Sequence, residues 1–185
     1  MATATATRIS LLEREQVPPE LQQLYDALLK QRGVVPNMFR TVANVPSLAL
    51  GFAGLLKALL SDGALPGSYK ELIATRMSVL CGSEYAVAGH SLSAKQKGAS
   101  AEQIAAIKAD FETGPFNDQE KLGLRCADRL HRSGAEIDDE FFARLKSAFN
   151  DQRIVELFAA ASVFEFFPRF VDGLRIPITP PPRQG

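Results

Sequence analysis

The strongest constraint on the fold of this chain is its punctuation. Helix breakers and cap residues recur at short intervals: Pro18-Pro19, Gly33, Pro46-Ser47, Pro66-Gly67-Ser68, Cys81-Gly82-Ser83, Gly98, Ser100, Gly114-Pro115, Asn117, Asp138, Asn150 and Pro168. Between them the apolar residues follow helical spacing, and no segment shows the alternation of a half-buried strand. Proline suits a first helical turn, where its missing N–H would be unbonded anyway, and Ser, Asn or Asp just before the turn accepts from one of its N–H groups. The pattern predicts helices over LQQLYDALLKQ, LALGFAGLLKALLS, YKELIATRMSVL, EYAVAGHSLSAKQK, AEQIAAIKADF, DQEKLGLRCADRLHRS, DEFFARLKSAF and DQRIVELFAAASVFEFF, with one short helix in GVVPNMFRTVANVP. Ser47, Ser83 and Asn117 are the expected caps, and Pro168 is expected to end or kink the last helix. The fold class is all-α, with no significant sheet.

With 185 residues and 46% apolar content, the chain is long enough for one compact domain, expected over 1–176, with a Pro-rich tail over 177–185. Lys and Arg total 21, as do Asp and Glu, so the net charge is zero and no basic stripe for nucleic acid is expected. MATATATRIS lacks the apolar region of a secretory signal. The longest apolar stretch, 45–60, is broken by Pro46, Gly51, Gly54 and Lys57. A cytoplasmic protein with no membrane partner is therefore expected. Cys81 and Cys126 are too few for a disulfide framework and are expected to be free thiols, Cys126 buried beside Leu122 and Leu130. His90 and His131 lack partners at finger-like spacing, so no metal site is expected.

The stretch CGSEYAVAGH, residues 81–90, concentrates the chemistry. On a helix, His90 shares a sector with Ser83, Ala86, Val87 and Ala94, with Lys97 at its far end. One helix earlier, Glu71, Thr75 and Ser78 share a sector opposite Ile73, Met77 and Leu80. On such a face His90 is either functional or a satisfied structural histidine, and the Glu71 face is either functional or ordinary solvated surface. Glu84 complements the dipole of its helix start, and in a cleft it would serve with Tyr85 as an acid or base. Glu165 lies among Phe164, Phe166, Phe167 and Phe170, with Arg169 one turn on. That pair is either a salt bridge or a pocket wall in which Arg169 recognises an anion. His131 is explained by its helix C-terminus and by Asp128 three residues before.

The segments VPNMF (35–39), NVPSLALGF (44–52), KELIATRMSVLCGSEYAVAGH (70–90) and GASAEQIAAI (98–107) resemble the carboxymuconolactone decarboxylase and alkylhydroperoxidase D superfamily. The resemblance implies a helix hairpin carrying Glu, eleven residues, Cys-x-x-Cys, three residues, then His. Glu71 fills the glutamate position and His90 the histidine, while Ser83 and Ala86 stand where the thiols would be. Neither is redox-active, so a dithiol peroxidase cycle cannot run through those positions. The chain looks like a thiol-free branch nearer the decarboxylase side, for which the resemblance implies no metal or organic cofactor. It also implies homo-oligomers, trimers or hexamers; VFEFFPRF and the Pro-rich tail are the candidate partner-contacting segments. Lys70 stands about where a dicarboxylate-binding arginine would.

The leading expectation is a cofactor-free acid–base enzyme acting on a small anionic or carbonyl metabolite by decarboxylation, isomerisation or lactone chemistry. His90 would transfer the proton, Glu71 orient it, and Glu84 or Tyr85 assist, with Ser83, Thr75 and Arg169 contacting substrate. The alternatives are a peroxidase using Cys81 or Cys126, and a non-catalytic ligand-binding or scaffold protein.

Overall fold

The structure is a computed structural model that describes residues 7–181. The first residues of MATATATRIS and the end of the Pro-rich tail, from 182, lie outside these residues. The helices are α1 (Pro19–Arg32), α2 (Asn37–Val42), α3 (Pro46–Leu60), α4 (Gly67–Leu80), α5 (Glu84–Gln96), α6 (Ala101–Lys108), α7 (Asp118–Arg132), α8 (Asp139–Ala148) and α9 (Asp151–Gly173). Short 3-10 turns lie at Arg14–Gln16, Phe111–Thr113 and Gly134–Glu136, and there is no strand among the described residues.

The helix starts follow local chemistry. Ser83, Ser100, Asn117 and Asp138 each accept a backbone N–H of their own first turn. At Ser100 and Asn117 the box closes reciprocally, through the side chains of Gln103 and Glu120. α1 ends at Gly33, whose φ of 70° is a left-handed conformation that costs glycine little. Two elements differ from expectation. α3 starts at Pro46, so Ser47 lies inside its first turn. α9 continues through Pro168 to Gly173, so the proline does not end it; Phe164, Phe167 and Pro168 are all buried there.

The chain divides into two compact units. The first is formed by the described parts of Met1–Ala58 and Phe170–Gly185. Within it the tail is anchored to the start of α2: the Asn37 side chain donates to Pro177 O at 3.0 Å, and Asn37 N donates to Thr179 Oγ1 at 3.0 Å.

The second unit, Leu59–Arg169, is organised around α4, which packs on α5, α6 and α7. A helix so surrounded is buried on all sides, and α4 buries Lys70, Glu71, Thr75 and Ser78 along with Leu72, Ile73, Ala74 and Met77. The turn into α5 uses Gly82 at φ 71°, which lets Ser83 N reach Ser78 O at 3.0 Å.

α4 and α7 meet closely where Tyr69 donates its hydroxyl to Glu120 O at 2.6 Å. A methyl on Gly123 would lie 2.3 Å from that hydroxyl. Gly123→Ala should therefore cost about 1–3 kcal/mol by overpacking, despite alanine's better helix propensity. Urea unfolding checks this, and a variant as stable as wild type would mean that α7 shifts at no cost.

Candidate functional site

Glu71 is the centre of the site. It sits on the inner helix α4 with no exposed surface. A carboxylate in that position is costly unless each oxygen is satisfied. Both are: Oε2 lies 2.8 Å from His90 Nδ1, and Oε1 accepts from Lys97 Nζ at 2.9 Å. Lys97 also donates to Leu60 O at 2.7 Å, so one ammonium fastens the end of α5 to the end of α3 and to α4. Burial pushes the Glu71 carboxyl up, but the hydrogen bonds and charges of His90 and Lys97 overrule it and leave Glu71 below the usual range. Glu71 is thus ionised at neutral pH.

An ionised Glu71 accepts the Nδ1–H of His90 and so fixes the tautomer whose Nε2 carries the lone pair. The ring is steadied by Phe164, edge to face at a centroid distance of 4.4 Å. The His90 side chain remains 18% exposed. A buried anion, a partly exposed imidazole and a lysine thus form a unit that can take up and return a proton at Nε2.

The other sequence candidates fall in different places. Thr75 is buried on α4 and its hydroxyl donates to Glu71 O at 2.8 Å. Ser83 is buried at the α5 N-cap, its Oγ accepting from Ala86 N at 3.4 Å. Glu84 is exposed and Tyr85 half-buried in the first turn of α5. Arg169 is exposed and pairs with Glu165. Lys97 was legible only as a residue on His90's sector, and its bond to Glu71 depends on how α5 packs on α4.

Several pairings differ from those read from sequence spacing. The Glu71, Thr75 and Ser78 face is not solvated surface, because α4 has no solvent side there. Asp128 does not partner His131; it holds Arg76 in a two-bond fork at 2.7 and 2.8 Å. His131 instead meets Glu165, Nδ1 to Oε2, at 2.8 Å. Lys70 is 1% exposed and is paired with Glu156 at 2.9 Å, so its charge is turned inward. Cys126 is buried as expected, and burial pushes its thiol up to about 12, which makes it a poor nucleophile.

Residues 46–121 match the carboxymuconolactone decarboxylase family. Among curated proteins, the uncharacterized protein YnjA of Escherichia coli is 28% identical over 109 residues, covering 58% of this chain. The chain spans 59% and 65% of the lengths of the curated relatives it matches. Among solved structures, an uncharacterized peroxidase-related protein from Silicibacter sp. TM1040 superposes with a TM-score of 0.89 at 20% identity, covering 97% of this chain and 96% of the other. A cysteine-to-alanine variant of the debrominase Bmp8, in complex with 2,3,4-tribromopyrrole, superposes with a TM-score of 0.83 at 23% identity over 98% of this chain and 96% of the other. These likenesses establish a shared all-α fold. A carboxymuconolactone decarboxylase segment within an all-α fold shared with alkylhydroperoxidase D-like proteins is consistent with the carboxymuconolactone decarboxylase and alkylhydroperoxidase D superfamily.

Proposed function

We propose that the protein is an acid–base enzyme of this superfamily, acting on a small anionic or carbonyl-bearing metabolite by decarboxylation, isomerisation or lactone chemistry. The observation that carries it is the 2.8 Å contact between His90 Nδ1 and a fully buried Glu71 carboxylate. That contact sets the imidazole up as a base at Nε2, with the Glu71 carboxylate stabilising the imidazolium formed when a proton is held. Tyr85 and Glu84, at the start of the same helix, are the secondary acid–base groups, and Arg169 an anion contact. A small-molecule ligand is also supported by the fold relative Bmp8, whose structure holds a brominated pyrrole. Homo-oligomers, trimers or hexamers, belong to the same proposal. Exposed leucines on α3, namely Leu48, Leu50 and Leu55, support it.

A thermal-shift screen of small carboxylates, lactones and β-keto acids tests the proposal. A ligand at a hundred times its Kd should add about 2.7 kcal/mol. Turnover of such a hit should fall roughly 10²- to 10⁴-fold in His90→Ala. Turnover unchanged in His90→Ala would remove His90 as the proton carrier.

A further inference from the structure

A second cluster of chemistry-bearing side chains shares no residue with the Glu71 centre. Cys81 follows α4, His131 is in the last turn of α7, and Glu165 is on α9. Three helices distant in sequence thus bring a sulfur, an imidazole nitrogen and a carboxylate oxygen within 4.8 Å of one another. We propose that Cys81, His131 and Glu165 form a binding site for a borderline-soft divalent cation, zinc foremost.

The donor set is the first reason. Thiolate, imidazole and carboxylate are the three ligand types that zinc takes, and three protein ligands leave a fourth position for water or a bound molecule. Geometry is the second. Tetrahedral zinc with ordinary bond lengths holds sulfur and oxygen about 3.6 Å apart. Cys81 Sγ and Glu165 Oε2 are 3.5 Å apart. Nitrogen and oxygen ligands sit about 3.4 Å apart in such a site, so the 2.8 Å His131 Nδ1 to Glu165 Oε2 contact opens slightly as the cation enters.

The third reason is the way the carboxylate is held. Arg169 bonds Glu165 Oε1, leaving Oε2 as the oxygen that meets both His131 and Cys81. A guanidinium on the outer oxygen is the kind of outer partner that orients a metal-ligating carboxylate. Asp128, the acid nearest to His131 in sequence, is occupied by Arg76 and does not compete.

Protons and charge balance simply. The Cys81 thiol proton leaves to solvent and the thiolate binds the cation. Neutral His131 carries its single proton on Nε2 and donates its Nδ1 lone pair. Thiolate and carboxylate then match the dication. Access is open, because the side chains of His131 and Glu165 are 25% and 23% exposed and Cys81 is half-buried.

The test uses the full-length protein freed of metal by a chelator, with zinc chloride alone and with cobalt chloride alone. Calorimetry should show one zinc bound per chain, weakened by more than the roughly 100-fold that loss of an outer partner costs in Cys81→Ser and in His131→Ala. Cobalt should give a thiolate charge-transfer band. Cys126→Ser keeps a single thiol, that of Cys81, so the band must persist there whether or not the Cys81 variants fold. Stoichiometric zinc binding with the cobalt band retained in Cys126→Ser supports the site. No stoichiometric binding, or no thiolate band in Cys126→Ser, overturns it.

Discussion

Glu156→Ala should lower the unfolding free energy by about 4 kcal/mol, by leaving a buried lysine without its counter-charge. Lys70 is among the most completely buried large side chains, and the partner of its ammonium is Glu156 Oε2 at 2.9 Å. The same carboxylate accepts Ala64 N at 2.9 Å and Leu65 N at 3.0 Å, so it also fixes the loop that leads into α4. Truncation therefore strips three donors at once, one of them charged and out of reach of water. In this size range the loss corresponds to a Tm lower by roughly 10 °C. Lys70→Met should cost much less, since a long apolar chain fills the same space and Glu156 keeps both loop N–H groups and a partly exposed position. Adding Lys70→Met to Glu156→Ala should then recover part of the loss. Urea unfolding of the three variants decides the matter. A Glu156→Ala cost below about 1 kcal/mol would mean that water or another acceptor reaches Lys70.

The contrast between Lys70 and Ser83 shows which parts of this molecule are legible in its sequence. Ser83 and Asn117 were readable as caps because capping is settled within four residues, and the structure caps both helices there, whereas Ser47 falls inside α3. The all-α class follows for the same reason, since helical spacing between local breakers is visible in the sequence. Burial of α4 is another matter. Its polar residues Lys70, Glu71, Thr75 and Ser78 look like a solvent face, yet α5, α6 and α7 cover the helix. No local signal distinguishes an amphipathic surface helix from an inner helix whose polar groups are satisfied by partners far along the chain. Thr75 and Ser78 solve the problem by bonding back to carbonyls of their own helix, at 2.8 and 2.6 Å.

The candidate site divides along the same line. Glu71 and His90 were paired through a family spacing, and the structure brings them to 2.8 Å. Lys97, Glu156 and the Cys81, His131 and Glu165 group depend on which helix ends meet, and spacing along one helix misassigned His131 to Asp128. Within one helix, charge spacing predicted the Glu165 and Arg169 pair correctly. It could not register that His131 and Cys81 approach the same carboxylate from two other elements.

Glu71→Gln should separate what the buried charge does for stability from what it does for His90. Glutamine keeps the shape and one acceptor but removes the negative charge that Lys97 and His90 share. At neutral pH the loss should be about 3 kcal/mol, the low end for breaking a buried ion pair, because Lys97 keeps a side-chain exposure of 34%. The folded-state pKa of Glu71 is depressed. Its stabilisation is therefore present in full above the ordinary glutamate range and is lost as pH falls through the lower, folded value. Below that point the wild type carries a protonated Glu71 that resembles the amide, so the gap between the two proteins should narrow toward acid. Urea unfolding at neutral pH and at about pH 3 reads this directly. A gap that stays constant would assign the loss to packing rather than charge. The same substitution reverses the hydrogen bond to the imidazole: an amide N–H donates to Nδ1, the ring proton moves to Nε2, and the lone pair that the proposed base needs is gone. Turnover of any ligand found for the site should then fall by about the same 10²- to 10⁴-fold as in His90→Ala, with the protein still folded. Full activity in Glu71→Gln would mean that His90 does not act through Nε2 as a base.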